Sequence, residues 1–310
     1  MSENRVLLVV NPFRSAKGGT QLAGIVDALK GWGVHCDVKY TEHKGDGIAL
    51  ARRGVAEGYR TIVAVGGDGT VNEVVNGVDG SEAAVFSIPL GAGNDFLRSL
   101  GIWTWEEACR LLAEGDFTRI DLGFAEYQDD AGQRKQRYYA VLADAGFGSE
   151  VVHNTPRRFR HALGGGLGYV VGLYRTAVQG QTRARRMKVR VDGELRYDEK
   201  LLLVEALNGM YAGGGLKVAP KAKLNDGLLD MFLVRDMPWL KIWALFPKVY
   251  RGTHIKHERA EYFQVRDVEI EADKSTRVSV DGEVIGYAPA RFRVVPGGLK
   301  TVCPPETASS

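Results

Sequence analysis

Residues 61–77 constrain the fold of this chain more than any other stretch. A β-rich run, Thr61–Val65, leads into a turn with three glycines around Asp68, and the apolar spacing of a helix begins near Thr70. Glycine lets the main chain approach an anion without a Cβ in the way, and the first N–H groups of a helix are unpaired, so this pattern is typical of phosphate binding. Asp68 would repel a phosphate unless a cation bridges the two. The turn therefore indicates metal–nucleotide chemistry.

The spacing of the glycines argues against two common classes of nucleotide-binding loop, the dinucleotide fingerprint and the Walker A loop. Gly67 and Gly69 by themselves would also fit a tight turn in any α/β protein, and that interpretation stays open for the pair alone. A dinucleotide fingerprint would have a third glycine where Asn72 stands, and this turn follows the third predicted strand. The chain has no Gly-Lys-Ser/Thr, so it lacks a Walker A loop. The pattern argues against a nicotinamide oxidoreductase.

Length and composition indicate an ordinary globular protein. The chain has 310 residues and a net charge of +3, which argues against a dedicated nucleic-acid binder but permits contact with an anionic surface. We see no signal peptide, and no apolar run approaches the roughly 20 residues that span a bilayer. The three cysteines, Cys36, Cys109 and Cys303, are widely spaced and indicate reduced thiols. We expect a cytoplasmic protein with at most peripheral membrane contact.

The first 120 residues alternate β-rich runs with helical apolar spacing. This alternation predicts a mostly parallel sheet with helices on both faces, a three-layer α/β nucleotide-binding domain over residues 1–125. The predicted strands are Val6–Val10, Val34–Tyr40, Thr61–Val65 and Ala84–Ile88, and the predicted helices are Gln21–Lys30, Gly47–Glu57, Val71–Asn76 and Thr104–Glu114.

From about Asp121 onward, strand patterns follow one another with few helices. This predicts an all-β second domain over 126–303, a β-sandwich whose last strands could return to the first domain, and then a disordered tail, 304–310. The predicted strands are Tyr138–Ala143, Met187–Val191, Lys200–Leu207, Leu229–Val234, Phe263–Glu271, Arg277–Val280 and Ala290–Val295, and the helical inserts are Gly164–Val178 and Pro238–Tyr250.

A second glycine turn, at 91–94, follows the fourth predicted strand. Asn94 and Asp95 could simply cap the next helix, or the turn could form a second wall for one nucleotide. Together, Gly-Gly-Asp-Gly-Thr-Val-Asn-Glu-Val at 66–74, Pro-Leu-Gly-Ala-Gly-Asn-Asp at 89–95 and Asn-Pro at 11–12 resemble the catalytic domain of the diacylglycerol and lipid kinases. The soluble bacterial YegS-type lipid kinases are the most similar. The likeness covers residues 5–300.

The resemblance implies two domains, an α/β part and a β-sandwich, that use ATP and Mg²⁺. The chain departs from the family pattern where Ala92 replaces a threonine, where Asp144 replaces an asparagine, and where Arg14 interrupts the first loop. The implied nucleotide contacts are Asn11, Thr41, Gly66, Gly67, Asp68, Gly69, Thr70, Val71, Asn72, Glu73, Gly91, Ala92, Gly93 and Asn94.

The resemblance also implies a metal site on Asp226, with main-chain carbonyls of Lys223 and Leu228. One carboxylate and two carbonyls are hard oxygen ligands that suit Mg²⁺. An Asn-Asp-Gly turn between strands would need no metal, and that alternative stays open. Asp95 and Asp121 could join Asp68 around a second ion.

The family's catalytic base is the glutamate of a C-terminal Asp-Gly-Glu, which is Glu283 here, and Asp68 is the second catalytic residue that we expect. Asp281-Gly282 is also a preferred two-residue hairpin turn. The chain contains Val-Asp-Gly-Glu twice, and the earlier copy carries Glu194. Only the position of Glu283 in the family pattern favours it over Glu194.

The segment Pro238–Tyr250 places aromatic side chains at helical spacing beside Lys241, Lys248 and Arg251. Such a helix could meet lipid headgroups at a membrane, or it could pack on the sandwich. The basic clusters at 157–160 and 183–186 could add attraction to anionic lipid, or they could be solvated loops.

These patterns predict an ATP-dependent lipid kinase that transfers the γ-phosphoryl group to a lipid hydroxyl, with diacylglycerol or a related lipid such as phosphatidylglycerol as acceptor. Its partners would be ATP and a lipid substrate at a membrane surface, with no nucleic acid. An NAD kinase, and an inactive relative that senses lipid or nucleotide, are the alternatives. The sequence does not fix the oligomeric state, and a homodimer is one option.

Overall fold

The computed structural model describes residues 5–12, 18–91, 93–156 and 165–304. Arg14, Ala92, the basic cluster at 157–160 and the tail at 305–310 lie outside these residues. The chain divides into two compact units, one of residues 1–120 with 297–310 and one of residues 121–296. No helix in the part of the chain described here is long and apolar enough to cross a membrane.

The first unit is built on four parallel strands, each of them six residues long. Their order in the sheet is β2-β1-β3-β4. The strands β3 and β4 are buried along their whole length, as expected where helices cover both faces of a parallel sheet. The strands are β1 (Arg5–Val10), β2 (His35–Tyr40), β3 (Thr61–Gly66) and β4 (Ala84–Pro89), and the helices are α1 (Gly18–Gly31), α2 (Asp46–Ala56), α3 (Asp68–Gly77), α4 (Asp95–Ser99) and α5 (Trp105–Glu114).

Four of these helices form two pairs, α2 with α3 and α1 with α5, that lie on opposite faces of this sheet. Small residues let α2 approach the sheet and α3, since a Cβ at Gly54 would lie 2.5 Å from Leu7 and one at Gly77 would lie 2.5 Å from the Ala51 methyl group. The helix α1 instead packs on α5. Right-handed crossovers in the order β2-β1-β3-β4 place α1 and α2 on different faces. The predicted three-layer α/β architecture is confirmed.

The second unit is rich in antiparallel strands. Within residues 121–156 and 165–296 the helices are α6 (Phe147–Asn154), α7 (Gly165–Val178) and α8 (Trp239–Tyr250), and a 3₁₀ turn covers His254–Lys256. The remaining strands are β5 (Phe117–Gln128), β6 (Arg134–Tyr139), β7 (Leu142–Gly146), β8 (Arg185–Val191), β9 (Glu194–Leu207), β10 (Leu229–Arg235), β11 (Ala260–Val265), β12 (Asp267–Ala272), β13 (Arg277–Val280) and β14 (Glu283–Val302).

The strands of the second unit close on themselves around an apolar core. Their order is β11-β10-β9-β7-β13-β14-β12-β8, and β8 also pairs with β9. Closure is possible because β9 is long, so that residues 194–201 pair with β8 and residues 203–207 pair with β7. Alternate residues point inward, as the two-residue period of a strand requires. The inward side chains include Met187, Val189, Val191, Val268, Ile270, Val278, Val280, Ala290, Phe292 and Val294. The predicted β-rich C-terminal part is confirmed.

The strand boundaries differ from the prediction in several places. The predicted strand Tyr138–Ala143 is the end of β6 and the start of β7, and β9 and β14 are longer than predicted. The predicted strand Phe263–Glu271 is two strands, β11 and β12, which separate at Arg266, where the N–H group donates to the Asp192 carboxylate (2.9 Å). The hairpin of β5 and β6 is absent from the prediction. Residues 128–137 are mostly polar and resemble a loop, and residues 129–133 do form the turn of the hairpin. Pairing with β5 fixes residues 134–137 as part of β6, which their own polar pattern does not show.

The outer side of this sheet holds a buried polar row. Ser279, Asp144 and Glu205 occupy paired positions on β13, β7 and β9, and all three are buried. The hydroxyl of Ser149, in α6, donates to the Asp144 carboxylate. Burial raises the pKa of Asp144 to about 7, and the negative charge of Glu150 adds to the rise. Burial also raises the pKa of Glu205 well above its usual value, and the charge of Asp144 adds to that rise.

We expect Asp144→Asn to stabilise the protein at alkaline pH. The folded state keeps a proton on Asp144 that the unfolded chain releases, so stability falls as pH rises from about 4 to about 7. The variant should melt about 3–6 °C higher than the wild type at pH 8, with little change at pH 4, in scanning calorimetry. Asp130→Asn, at an exposed hairpin position, is the control. Equal effects of Asp144→Asn at both pH values would contradict the assignment.

Candidate functional site

The first glycine turn lies at the carboxyl end of β3. Gly67 is extended, and α3 begins at the next residue, Asp68. The Gly67 carbonyl accepts from the N–H groups of Thr70 (2.8 Å) and Val71 (3.2 Å), which sets the first turn of the helix. A ten-residue helix therefore presents its positive N-terminal end at this turn, as a phosphate-binding loop requires.

The second glycine turn contacts the first one directly. The Gly66 carbonyl accepts from the N–H groups of Leu90 (3.0 Å) and Gly91 (3.1 Å). A Cβ at Gly91 would lie only 2.7 Å from the Cα atom of Gly67, so the two backbones touch. Asn94 donates from Nδ2 to the Gly91 carbonyl (2.7 Å). The structure thus brings together the two glycine turns that the sequence marks.

Asp68 links the first turn to the helix that follows the second. Its Oδ1 atom accepts from the N–H group of Phe96 (3.0 Å), in the first turn of α4. Asp68 therefore caps α4, which is a structural role beside any role toward a cation. Asp95, the first residue of α4, is buried.

Two polar atoms next to the glycine turns are buried and unsatisfied. Thr70 Oγ1 and Asn94 Oδ1 have no hydrogen-bond partner within the described part of the chain. Buried polar atoms normally have partners, so these two fit a bound ligand that supplies them. Thr70 Oγ1 lies against Gly66, where a Cβ would approach it to 2.5 Å.

The other predicted nucleotide residues fall into two groups. Asn11 and Thr41 follow β1 and β2, and their N–H groups continue the ladder to Val65 (3.1 Å) and Val10 (2.9 Å). Glu73 has a different environment. Its two carboxylate oxygens accept from the N–H groups of Gly45 (2.8 Å) and Gly47 (2.9 Å), so Glu73 caps the N-terminus of α2.

The two Val-Asp-Gly-Glu segments form the same hairpin turn in the second unit. Asp192 and Asp281 are left-handed, with φ of 49° and 45°, and each is followed by a glycine at positive φ. Both aspartates also hold a neighbouring strand. Asp281 accepts from the N–H groups of residues 140–142, and Asp192 accepts from those of 266 and 267. The backbone therefore does not distinguish the two copies.

The glutamates that end these turns differ in their surroundings. The Glu283 side chain is 25% exposed, and one of its oxygens lies 3.4 Å from Nη2 of Arg137. Glu194 is exposed. The sequence gives no sign of Arg137, because it lies in the segment that resembles a loop, and only its pairing on β6 places it beside Glu283.

The predicted metal ligands lie on a tight turn before β10. Asp226 accepts from the N–H group of Leu228 (3.1 Å) and from Nε2 of Gln264 (2.7 Å). The turn is held from outside by Asp121, whose carboxylate accepts from the Gly227 N–H group (2.7 Å). Asp121 therefore has a structural role in this turn, apart from the role around a second ion that the sequence raised.

The chemistry of this turn fits a hard divalent cation. Asp230 is buried nearby, and its Oδ1 atom has no hydrogen-bond partner within the described chain. Burial raises the pKa of Asp230 to about 6, and the negative charge of Asp226 adds to the rise. A carboxylate with main-chain carbonyls is a donor set that Mg²⁺ accepts. Among the described residues, no group of three or more His, Cys, Asp or Glu side chains could hold a metal, so carbonyls would have to contribute.

The comparisons with known proteins agree with this arrangement. Residues 5–125 match the diacylglycerol kinase catalytic domain, and residues 144–303 match the YegS C-terminal NAD kinase beta sandwich-like domain. The chain therefore belongs to the diacylglycerol kinase family, with the two-domain organisation of the YegS-like lipid kinases. The family prediction, and with it the class of a lipid kinase, is confirmed.

Individual relatives show the same kinship. The chain is 34% identical to the "Probable lipid kinase YegS-like" protein of Chromohalobacter salexigens, over 89% of this chain and 86% of that one. It is 29% identical to a diacylglycerol kinase of Staphylococcus saprophyticus, over 87% and 86% of the two chains. A crystal structure of "a putative diacylglycerol kinase from Bacillus anthracis str. Sterne" superposes with a TM-score of 0.79 at 25% identity, over 98% and 96%.

We expect Gly91→Ala to weaken nucleotide binding. The new methyl group would lie 2.7 Å from the Gly67 backbone and would force the two glycine turns apart. The dissociation constant for ATP should rise by about tenfold or more, measured by isothermal titration calorimetry, while the circular dichroism spectrum stays the same. Gly31→Ala is the control, because a Cβ there meets nothing within 4 Å. Unchanged affinity would contradict a nucleotide site at these turns.

Proposed function

We propose that this protein transfers the γ-phosphoryl group of ATP to the hydroxyl group of a lipid, with diacylglycerol as the default acceptor. In the reaction, the acceptor oxygen forms a bond to the γ-phosphorus, the bond from that phosphorus to the β–γ bridging oxygen breaks, and ADP leaves. The hydroxyl proton passes to a carboxylate. Phosphoryl transfer of this kind depends on positioning and charge stabilisation, so each requirement can be assigned to residues.

The glycine turns would bind the phosphates of ATP. The contact between Gly66–Gly67 and Gly91 keeps Cβ atoms away from a phosphate, and the N-terminus of α3 supplies positive charge. Thr70 Oγ1 and Asn94 Oδ1 are the buried atoms that a nucleotide would satisfy. Asn11 and Thr41 would complete this site, whereas Glu73 would act indirectly, by holding the start of α2.

Magnesium would be held on the turn before β10, by Asp226 and the carbonyls of Lys223 and Leu228. A cation held there would supply positive charge for the phosphate groups of ATP. The carboxylate of Asp121 supports the turn through Gly227. Asp68, at the glycine turn, could approach phosphate only through a cation, which is the second place where the proposal requires one.

Glu283 would be the general base. One observation carries this choice between the two equivalent hairpins: Glu283 is three-quarters buried beside Arg137, whereas Glu194 is exposed. A carboxylate that is held by a neighbour and shielded from water can orient a substrate hydroxyl. Arg137 would hold the Glu283 carboxylate in position toward the substrate hydroxyl.

The direct test is a transfer assay with γ-labelled ATP and Mg²⁺ against a panel of lipids in mixed micelles. The panel should contain diacylglycerol, phosphatidylglycerol and a ceramide, with NAD in a parallel reaction. We expect label in a lipid. Label in NAD and in no lipid would establish the NAD kinase alternative instead, and no transfer to any acceptor would favour an inactive relative.

We expect Glu283→Gln to lower turnover by roughly 10²–10⁴-fold, because an amide cannot accept the hydroxyl proton. The affinity for ATP should stay the same, since the residue would touch the acceptor. Glu194→Gln is the matched control, because it makes the same change in the same kind of hairpin. If both variants lose activity equally, the choice between the two copies is wrong, and if neither does, Glu283 is not the base.

We expect Asp226→Asn to weaken Mg²⁺ binding. A cation that binds only the folded state raises the melting temperature by mass action. Millimolar MgCl₂ without nucleotide should therefore stabilise the wild type more than the variant in a thermal-shift measurement. Asp129→Asn provides a matched control, since Asp129 also accepts main-chain N–H groups in a turn. If MgCl₂ raises the melting temperatures of wild type and Asp226→Asn equally, the assignment of the metal site to this turn is wrong.

A further inference from the structure

The helix α8 exposes apolar side chains that its packing does not require. Ten of its twelve residues are apolar or aromatic, and the other two are Lys241 and Lys248. Only Ile242 and Leu245, one turn apart, are buried. A surface helix normally turns its apolar stripe toward the core and its polar residues toward water. In α8 the stripe that faces away from the protein is apolar as well.

The exposed fractions show how open this outer stripe is. Trp239 is 50% exposed, Leu240 is 64% exposed and Tyr250 is 46% exposed. Ala244 and Pro247 are exposed too, on the side of the helix opposite the buried pair. Of the aromatic side chains that the sequence marked, Trp239 and Tyr250 are exposed, whereas Trp243 and Phe246 are partly buried beside the buried pair.

The charge around α8 is strongly positive. Residues 238–259 contain five basic residues and one acidic residue, a net charge of +4, whereas the whole chain carries only +3. The rest of the chain therefore carries a net charge of −1, so this helix and the segment after it hold a local basic excess. Glu258 pairs with Lys241 (3.6 Å), but both side chains are largely exposed, so the pair is weak.

We infer that α8 and residues 251–259 form a docking surface for an anionic lipid bilayer. Exposed Trp, Leu and Tyr side chains insert at the boundary between headgroups and acyl chains, and lysines beside them bind anionic headgroups. A hydrophobic partner protein would fit the apolar residues but would not require the concentrated positive charge. The inference rests on the proposed function, since an enzyme that phosphorylates a lipid must reach it in the membrane.

The test is cosedimentation of the full chain with vesicles of phosphatidylglycerol and phosphatidylcholine, and with vesicles of phosphatidylcholine alone. Wild type should bind the mixed vesicles more tightly, and the preference should fall as salt rises. Trp239→Ser with Leu240→Ser should weaken binding to the mixed vesicles by about tenfold or more. The double variant Trp32→Ser with Leu195→Ser is the matched control, because those two side chains are 48% and 49% exposed.

The lysines have their own prediction. Lys241→Gln with Lys248→Gln should lower affinity for the mixed vesicles by about fivefold for each lysine and should abolish the preference for phosphatidylglycerol. Lys30→Gln with Lys39→Gln removes the same charge from exposed positions of the first unit and should have a much smaller effect.

Activity on a short-chain diacylglycerol dispersed as monomers separates this inference from the proposed function. The Trp239→Ser, Leu240→Ser variant should phosphorylate the monomers as fast as wild type does, and it should be slow only on vesicles. Vesicle binding that equals wild type overturns the docking surface and leaves the kinase intact. The docking surface is also overturned if light scattering shows a concentration-dependent dimer that the same substitutions dissociate, because α8 would then be a subunit interface. Absence of transfer even in mixed micelles overturns the proposed function instead.

Discussion

A single carbonyl oxygen, that of Gly66, connects the two glycine turns on which the nucleotide site depends. Gly66 is the last residue of the buried strand β3, and its carbonyl oxygen accepts hydrogen bonds from the N–H groups of Leu90 and Gly91. Two backbones can approach this closely only where neither has a Cβ, and the Gly91–Gly67 contact leaves no room for one. The constraint explains why the glycines of separate loops are needed together. The carbonyl of the next residue, Gly67, sets the first turn of α3, and so the direction of the helix dipole.

The second unit shows how one turn sequence can carry two different roles. In both Val-Asp-Gly-Glu hairpins the aspartate is left-handed and binds the N–H groups of a neighbouring strand, so both copies are needed to hold strands together. The glutamate is not required for the turn. The surroundings of each glutamate depend on the neighbouring strands. Glu283 lies beside Arg137 of β6, whereas Glu194 is exposed to solvent. Function can therefore be added to a hairpin without changing how it folds.

Sequence reasoning predicted the features that local chemistry determines. The parallel strands, the glycine turns and most boundaries follow from apolar periodicity and from residues that only certain backbones accept. It could not predict the pairing of Arg137 with Glu283, or the capping of α2 by Glu73, because each joins residues far apart in the chain. The hairpin of β5 and β6 was missed for the same reason. The strand β5 buries Ile120, Leu122 and Phe124, whereas β6 is mostly polar and is fixed as a strand by its pairing with β5.

Two places in the second unit contain residues that are unfavourable for folding. One holds buried carboxyl groups, and the other holds exposed apolar side chains. Asp144 and Glu205 are carboxyl groups in a buried row, where burial works against their charge. In α8, apolar side chains stand in water, where a polar residue would cost the fold nothing. The first case is accommodated internally, because a retained proton and the Ser149 hydroxyl reduce the cost of burial. The exposed apolar side chains of α8 are not covered by the part of the chain described here. Ile242 and Leu245 are buried and anchor the helix, so the exposed Trp239 and Leu240 side chains fit the bilayer surface proposed above.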